Sequence, residues 1–293
     1  MTAEAATGLG AGFASLPSWT LDENQLADLE MLLSGVFAPL TGFMTAADVS
    51  AVCESGTLAD GFPWPVPVTL DVPEDAVPPT QRRLALNDPE GVPLAVLDIS
   101  ERSPALTPSM AQAGRGGRHA RHAGAAGRAA GPDGPATAGL VRLSGQVIQC
   151  RDPEHGPFRQ LRRTPAQVQA ELGDGPVLAF ITRRPLTARQ IGQLRHVAGQ
   201  LRARLLLLPL VTGTADVVAT PEALVRTVRA ATRHLPLGTL VVPLALASRD
   251  VGPERELALR ALVAAAYGAT HLFTDEPKAP EVPTAIPVVS AGD

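Results

Sequence analysis

Apolar positions along this chain follow two different patterns, with a gap between them. Over the first hundred residues the apolar stretches are short and interrupted by Pro and Gly. Residues 66–72, 83–87 and 93–99 have strand length, and Asn87-Asp-Pro-Glu-Gly91 is a turn signal between the last two. Ahead of them, residues 26–33 repeat apolar positions at helical spacing and stop at Gly35. A small β-rich domain with a short helical start is expected over 1–110. From Gln160 the pattern becomes regular. Thr164-Pro-Ala-Gln167 has the form of a capping box with Pro at the first helical position, opening a helix to Leu172. Residues 177–182 form a continuous apolar run, followed by a helical stripe of Ile191, Leu194, Val197, Ala198 and Leu201. A strand over 205–211, a helix opened by Thr220-Pro221 with a stripe to Leu235, a strand over 240–246, a helix over 254–266 and a strand over 270–273 complete the alternation. Alternating β and α units with fully apolar strands predict an α/β domain over 141–293, with a parallel sheet covered on both faces.

The segment between these regions is of another kind. Of the 29 residues 111–139, 26 are Ala, Gly, Arg, His or Pro, and none is Val, Ile, Leu or aromatic. Such a stretch buries too little to offset its ordering entropy, so 111–140 is expected to be a disordered linker. Its His119 and His122 have helix-facing spacing but lack a third ligand, so no metal site is expected.

Bulk composition narrows the function classes. Apolar residues make up 45% of the chain and charged residues 18%, enough for a sizeable aliphatic core. A net charge of −4 and 3% aromatics argue against a nucleic-acid footprint over the whole molecule. Cys53 and Cys150 lie far apart, so neither a disulfide framework nor a zinc site is expected. No signal peptide is read at the start, and no apolar run is long enough to cross a bilayer; a cytoplasmic protein without membrane contact is expected.

In open parallel sheets ligands collect at the carboxyl ends of the strands, which selects the loops over 182–190, 211–219 and 247–255. In the first, Thr182, Arg183 and Arg184 lead through Pro185 to a helix start, and paired guanidiniums beside a positive helix end suit an anion. The second, Thr212-Gly-Thr-Ala-Asp216, reads as a polar turn. In the third, Arg249, Asp250, Gly252, Pro253 and Arg255 again bring positive charge to a helix start. His271 is expected to be structural, and His155, His196 and His234 to lie on the surface. No Walker loop, Gly-x-Gly-x-x-Gly, His-Glu-x-x-His or Ser-His-Asp order is present.

Several stretches resemble a known family. Leu26-Ala-Asp-Leu-Glu-Met-Leu-Leu-Ser-Gly-Val-Phe-Ala-Pro-Leu-Thr-Gly-Phe-Met44 resembles the opening signature of ATP sulfurylase (sulfate adenylyltransferase), as does Leu58-Ala-Asp-Gly-Phe-Pro-Trp-Pro-Val-Pro-Val-Thr-Leu-Asp-Val72. Arg162-Arg-Thr-Pro165, Ala179-Phe-Ile-Thr-Arg-Arg-Pro-Leu186, Val251-Gly-Pro253 and Tyr267-Gly-Ala-Thr-His271 follow in the family's order. The resemblance implies a PUA-like β-rich domain followed by a Rossmann-like nucleotidyltransferase domain. It also implies a reaction of ATP, with Mg²⁺, and sulfate to adenosine 5′-phosphosulfate and pyrophosphate, catalysed mainly by positioning and charge neutralisation.

Departures from the family pattern concentrate in the loops. The family carries Gln-Thr-Arg-Asn-Pro followed by two histidines three residues apart. Thr182, Arg183 and Pro185 match, whereas Ile181, Arg184, Thr187 and Gln190 replace the glutamine, the asparagine and the two histidines. Neither Thr187 nor Gln190 can carry a proton or a positive charge as imidazole does. Gly252 and Pro253 are kept, Arg255 and Glu256 match after one inserted residue, and Arg260 stands for a histidine. Thr274-Asp-Glu-Pro-Lys-Ala279 replaces a Gly-Arg-Asp-His-Ala-Gly loop, and the family's Gly-Thr-Asp and His-Pro-Gly segment is missing. The end of the chain, around Ala285-Ile-Pro-Val-Val289, resembles the junction in bacterial proteins where a sulfurylase-like part precedes an adenylylsulfate (APS) kinase domain, and no kinase P-loop is present. The carboxyl-terminal part of the family fold is expected to be incomplete. Catalytic residues are therefore expected to be missing, with Thr182, Arg183, Arg184, Gly252, Pro253 and Arg255 left to bind a nucleotide or anion. Three functions stay open: a binding or docking module of sulfate activation, an active sulfate adenylyltransferase with a divergent site, and the sulfurylase-like part of a bifunctional protein with APS kinase. Candidate partners are a nucleotide, sulfate, an APS kinase domain and a second copy of the chain.

Overall fold

The computed structural model describes residues 16–105, 139–151, 161–212, 220–247, 249, 251–276 and 282–290. The expected linker lies almost wholly outside these residues, as do His155 and most of the 211–219 loop.

The amino-terminal part begins with β1 (Ser18–Thr20) and α1 (Glu23–Leu33). Asp22 and Gln25 open α1 as a reciprocal capping box. β2 (Gly42–Phe43), α2 (Ala46–Ser55), β3 (Leu70–Pro73), β4 (Arg83–Asn87) and β5 (Pro93–Pro104) follow, and β6 (Leu140–Gln149) closes the sheet. The strand order is β1-β4-β5-β6-β2, with β3 also on β6. All pairings are antiparallel except β1 with β4.

Two sequence expectations change here. The domain boundary expected at 141 is displaced, because β6 pairs with β5 over nine register positions and so belongs to the first sheet. Its sequence alternates Val141, Leu143, Gly145 and Val147 with the polar Arg142, Ser144 and Gln146, the pattern of an antiparallel strand and not of the continuously apolar parallel strands further on, although Arg142 and Ser144 are themselves buried. The strand expected over 66–72 begins only at Leu70, since Pro65 and Pro67 cannot donate to a ladder, although Val66 and Val68 are fully buried. Helix α2 was not anticipated from its sparse stripe of Val49 and Val52. Its ends are well marked, by Thr45 accepting from the Asp48 amide and by left-handed Gly56.

The second part is the expected α/β alternation: α3 (Pro165–Leu172), β7 (Val177–Thr182), α4 (Ala188–Leu201), β8 (Arg204–Pro209), α5 (Pro221–Ala231), β9 (Leu240–Val241), α6 (Pro253–Ala266), β10 (His271–Phe273) and β11 (Val288–Val289). Its strands run in the order β11-β10-β7-β8-β9 and every pair is parallel. The strand expected over 240–246 is cut to two residues plus an isolated bridge from Leu244 to Leu210, because Pro243 interrupts the donors. The α5 stripe ends at Ala231, and Leu235 reaches the same core from beyond a short 3₁₀ turn.

Side chains leave β7 and β8 alternately to two cores. Leu178, Phe180, Leu205 and Leu207 meet α4 and α5 on one face. Val177, Ala179, Ile181, Leu206 and Leu208 meet α3 and α6 on the other, in a core continuous with that of the amino-terminal sheet. Three polar links reinforce this junction. Arg249 pairs with Asp28, and Arg162 donates to Glu30 at 3.2 Å. Arg255 donates to the Val52, Cys53 and Pro65 carbonyls. The two domains are thus joined through one face of the parallel sheet, and α4 and α5 cover the other.

Candidate functional site

The carboxyl end of β7 turns on its own side chain. Thr182, 7% exposed, donates from Oγ1 to the Arg184 carbonyl at 2.7 Å and accepts from the Arg184 amide at 3.1 Å. Pro185 then holds Arg184 out of helical geometry, and the chain enters α4 through Thr187. Arg183 points inward along the strand ends, donating from Nη1 to the Thr212 carbonyl at 3.2 Å. Thr212 in turn donates to the Leu246 carbonyl at 2.7 Å. The first and second loops and the segment after β9 are therefore stapled together, and Arg183 is a structural member of that staple.

Thr187 and Gln190 form a reciprocal cap at the start of α4. The Gln190 amide donates to Thr187 Oγ1 at 3.2 Å, and Gln190 Oε1 accepts from the Thr187 amide at 2.8 Å and from its hydroxyl at 3.0 Å. Gln190 Nε2 donates to Asp275 Oδ2 at 2.7 Å, which ties the loop after β10 to α4. At these two positions, therefore, the side chains serve helix capping and loop tethering, and neither offers a titratable group.

An open pocket of about 300 Å³ lies over this cap, lined by Arg184, Pro185, Thr187, Arg189, Gln190, Gln193 and Asp275. Among the described residues the guanidiniums of Arg184 and Arg189 make no hydrogen bond or ion pair. Two free positive groups and the amino end of a 14-residue helix face one carboxylate that is already engaged, so the pocket suits an anion.

The six residues expected to bind a nucleotide or anion do not converge. Arg184 alone lines the pocket; Thr182 and Arg183 shape the loop beneath it. Gly252, at φ +82°, and Pro253 open α6 without a side-chain cap. Arg255 is turned away from any strand-end site, toward the backbone carbonyls of 52, 53 and 65. Arg249 is committed to Asp28, whose carboxyl is pushed above the usual range by burial, with the Arg249 charge opposing the shift. Arg260 is spent on Glu256 one turn back along α6, at 2.5 Å. His271 Nδ1 meets the Thr270 hydroxyl at 2.9 Å, and His196 and His234 are exposed. Sequence reasoning overlooked Gln193 and the position of Asp275. The first could have been found at i+3 from Gln190, whereas the second depends on how β10 sits beside β7.

Among the described residues no group of three or more His, Cys, Asp or Glu could hold a metal ion, and no helix is long and apolar enough to cross a membrane.

Comparison with known proteins agrees with this architecture. A PUA-like domain model matches residues 1–126 and an ATP-sulfurylase model matches residues 159–280. The sulfate adenylyltransferase of Deinococcus deserti is 34% identical over 273 residues, covering 90% of this chain and 66% of that protein. That of Saccharomyces cerevisiae is 29% identical over 270 residues, covering 87% of this chain and 50% of that protein. Among solved structures, the hexameric APS kinase from Thiobacillus denitrificans superposes with a TM-score of 0.74 at 30% identity, over 99% of this chain and 54% of that one. The chain spans between half and two thirds of the length of these relatives. With its amino-terminal PUA-like domain, its parallel-sheet second domain and these matches, the chain belongs to the ATP-sulfurylase-like family.

Proposed function

We propose that this protein is a sulfate adenylyltransferase-like component of sulfate activation with impaired adenylyl transfer, acting in the cytoplasm as a nucleotide- or anion-binding or docking module. The observation that carries this reading is the closed cap of Thr187 and Gln190 beside the open guanidiniums of Arg184 and Arg189. In the family reaction, sulfate attacks the α-phosphorus of ATP and pyrophosphate leaves, so negative charge must be neutralised as it shifts. A single charged group at such a site is commonly worth orders of magnitude in rate. Threonine and glutamine supply no positive charge, and here both are occupied by the helix cap. The two arginines instead supply binding to phosphate oxygens. ATP, with or without Mg²⁺, or adenosine 5′-phosphosulfate is the ligand class that fits.

A second reading, that this is the sulfurylase-like part of a bifunctional protein with an APS kinase, draws support from the match to the Thiobacillus denitrificans APS kinase, half of which this chain covers. In both readings the chain itself binds but does not turn over. Purified protein supplied with Mg²⁺, ATP and sulfate is expected to release pyrophosphate at background, while adenosine 5′-phosphosulfate raises its melting temperature. Turnover above background by folded protein would establish an active enzyme with a divergent site, and the absence of any thermal shift would remove the binding reading.

A further inference from the structure

Charge is divided unevenly over this molecule. Residues 183–235 contain nine arginines against Asp216 and Glu222, a net charge of +7. The amino-terminal domain, taken as residues 16–105 and 139–151, contains 14 carboxylates against five arginines, a net charge of −9. A chain of net −4 is therefore strongly polarised between its parts.

Four of these nine arginines share one surface. Helix α4 has no acidic residue and α5 only Glu222. Leu194, Val197 and Ala198 of α4 and Leu224 and Val228 of α5 are turned into the sheet, so Arg195, Arg226 and Arg229 stand exposed on the outer surface, with Arg202 at the end of α4. Among the described residues none of these four guanidiniums makes a hydrogen bond or ion pair. The acidic domain of the same copy cannot neutralise them. It is joined through the core on the opposite face of the parallel sheet, and α4 and α5 look away from it. Each charged surface also carries one of the two large apolar side chains exposed among the described residues. Leu237 is fully exposed just past α5, and Phe62, 44% exposed, follows Asp60 in the acidic domain.

From this distribution we infer that the α4–α5 face docks the acidic amino-terminal domain of a second copy of the chain, head to tail, with Leu237 and the Phe62 loop as apolar contacts. A complement of opposite charge is present in the molecule, in exposed carboxylates such as Glu54 and Asp60, but only another copy can bring it to the basic face. A contact that uses a different patch on each copy is heterologous and propagates into a ring or a filament. Contacts of this kind weaken with salt, because the screening length falls from about 10 Å at 0.1 M to about 3 Å at 1 M.

Sedimentation velocity of the full chain tests the inference. At low ionic strength a concentration-dependent species larger than the monomer is expected, and at 1 M salt it dissociates. The variant Arg195→Glu/Arg226→Glu/Arg229→Glu, with unchanged circular dichroism, is expected to associate about tenfold more weakly or not at all at low salt. So is Glu54→Arg/Asp60→Arg on the other face, and mixing the two variants restores association. A wild type that stays monomeric at low salt overturns the inference, as does an assembly indifferent to the triple reversal. Wild type that co-sediments with short duplex DNA but not with itself would also overturn it, and would assign the face to nucleic acid.

Discussion

Replacing Arg249 by methionine separates a structural brace from a ligand-binding arginine. In the intact protein its guanidinium donates to Asp28 across the domain junction, with side-chain exposures of 13% and 8%. Arg249 Nη1 is buried without a partner, so the pair is not fully satisfied even before it is broken. Methionine preserves much of the stem but leaves the Asp28 carboxylate buried and uncompensated. Removing one member of such a pair costs about 3–5 kcal/mol, whereas replacing both members by neutral groups of similar volume is often nearly neutral. At roughly 2–4 °C per kcal/mol, the single variant should melt about 6–20 °C lower at neutral pH, and Asp28→Asn/Arg249→Met should recover most of that loss. The pH dependence has a definite sign. Burial already raises the Asp28 pKa, and the charge and hydrogen bond of Arg249 are the influences holding it down. Without Arg249 it rises further, and a carboxyl whose folded pKa lies above its unfolded value is penalised only once it must ionise. The deficit should be small near pH 4, grow as pH rises through the folded pKa, and level off beyond it. Chemical denaturation from pH 4 to 8 measures this directly. A deficit below about 1 kcal/mol at pH 7, a deficit that shrinks with rising pH, or a double variant no better than the single one would refute the reasoning.

Two further substitutions and one titration bear on the fold. Gly145 sits on β6 at φ +150°, and a Cβ there would lie 2.0 Å from the Asp98 carbonyl, so Gly145→Ala should cost about 3 kcal/mol in a urea melt. Gly56→Ala, at φ +71° with open space around it, should cost only about 1 kcal/mol, and equal losses would remove the steric account. Tyr267 is the single tyrosine of the chain and 3% exposed, and burial, with the Glu30 charge adding to it, pushes its phenol far above the ordinary value. Ultraviolet titration should therefore show no tyrosinate near pH 10 until the protein unfolds, with stability falling above that pH. A reversible transition near pH 10 in folded protein would contradict this burial.

The second domain was largely legible in sequence because its strands are buried on both faces and its helices carry clear stripes. Helices α3 and α5 begin where their capping and proline signals place them, and α6 begins one residue before its expected start. The sequence places β6 in the second domain because the stretch before it resembles an interdomain linker, and pairing across some 35 residues leaves no local mark. The candidate site was legible only in part. Arg184 and the Thr187–Gln190 pair lie where strand-end logic puts them, and the capping box of Thr187 and Gln190 is itself a short-range pattern. Arg249 and Arg255 looked equivalent to Arg184 in the sequence, each a cation near a helix start. What distinguishes them is the neighbouring domain, whose Asp28 and backbone carbonyls claim both guanidiniums. Asp275 enters the pocket only because β10 lies beside β7, a tertiary fact without a sequence signature.

Calorimetric titration of ATP into the wild type and into Arg184→Ala/Arg189→Ala tests the central claim most directly, since these are the two pocket guanidiniums without a partner among the described residues. Saturable one-to-one binding by the wild type is predicted, weakened about tenfold, or 1.4 kcal/mol, in the double variant, a modest loss because both groups are solvated. Wild-type protein that takes up no ATP, or a double variant that binds as tightly as the wild type, would contradict a nucleotide site at the start of α4.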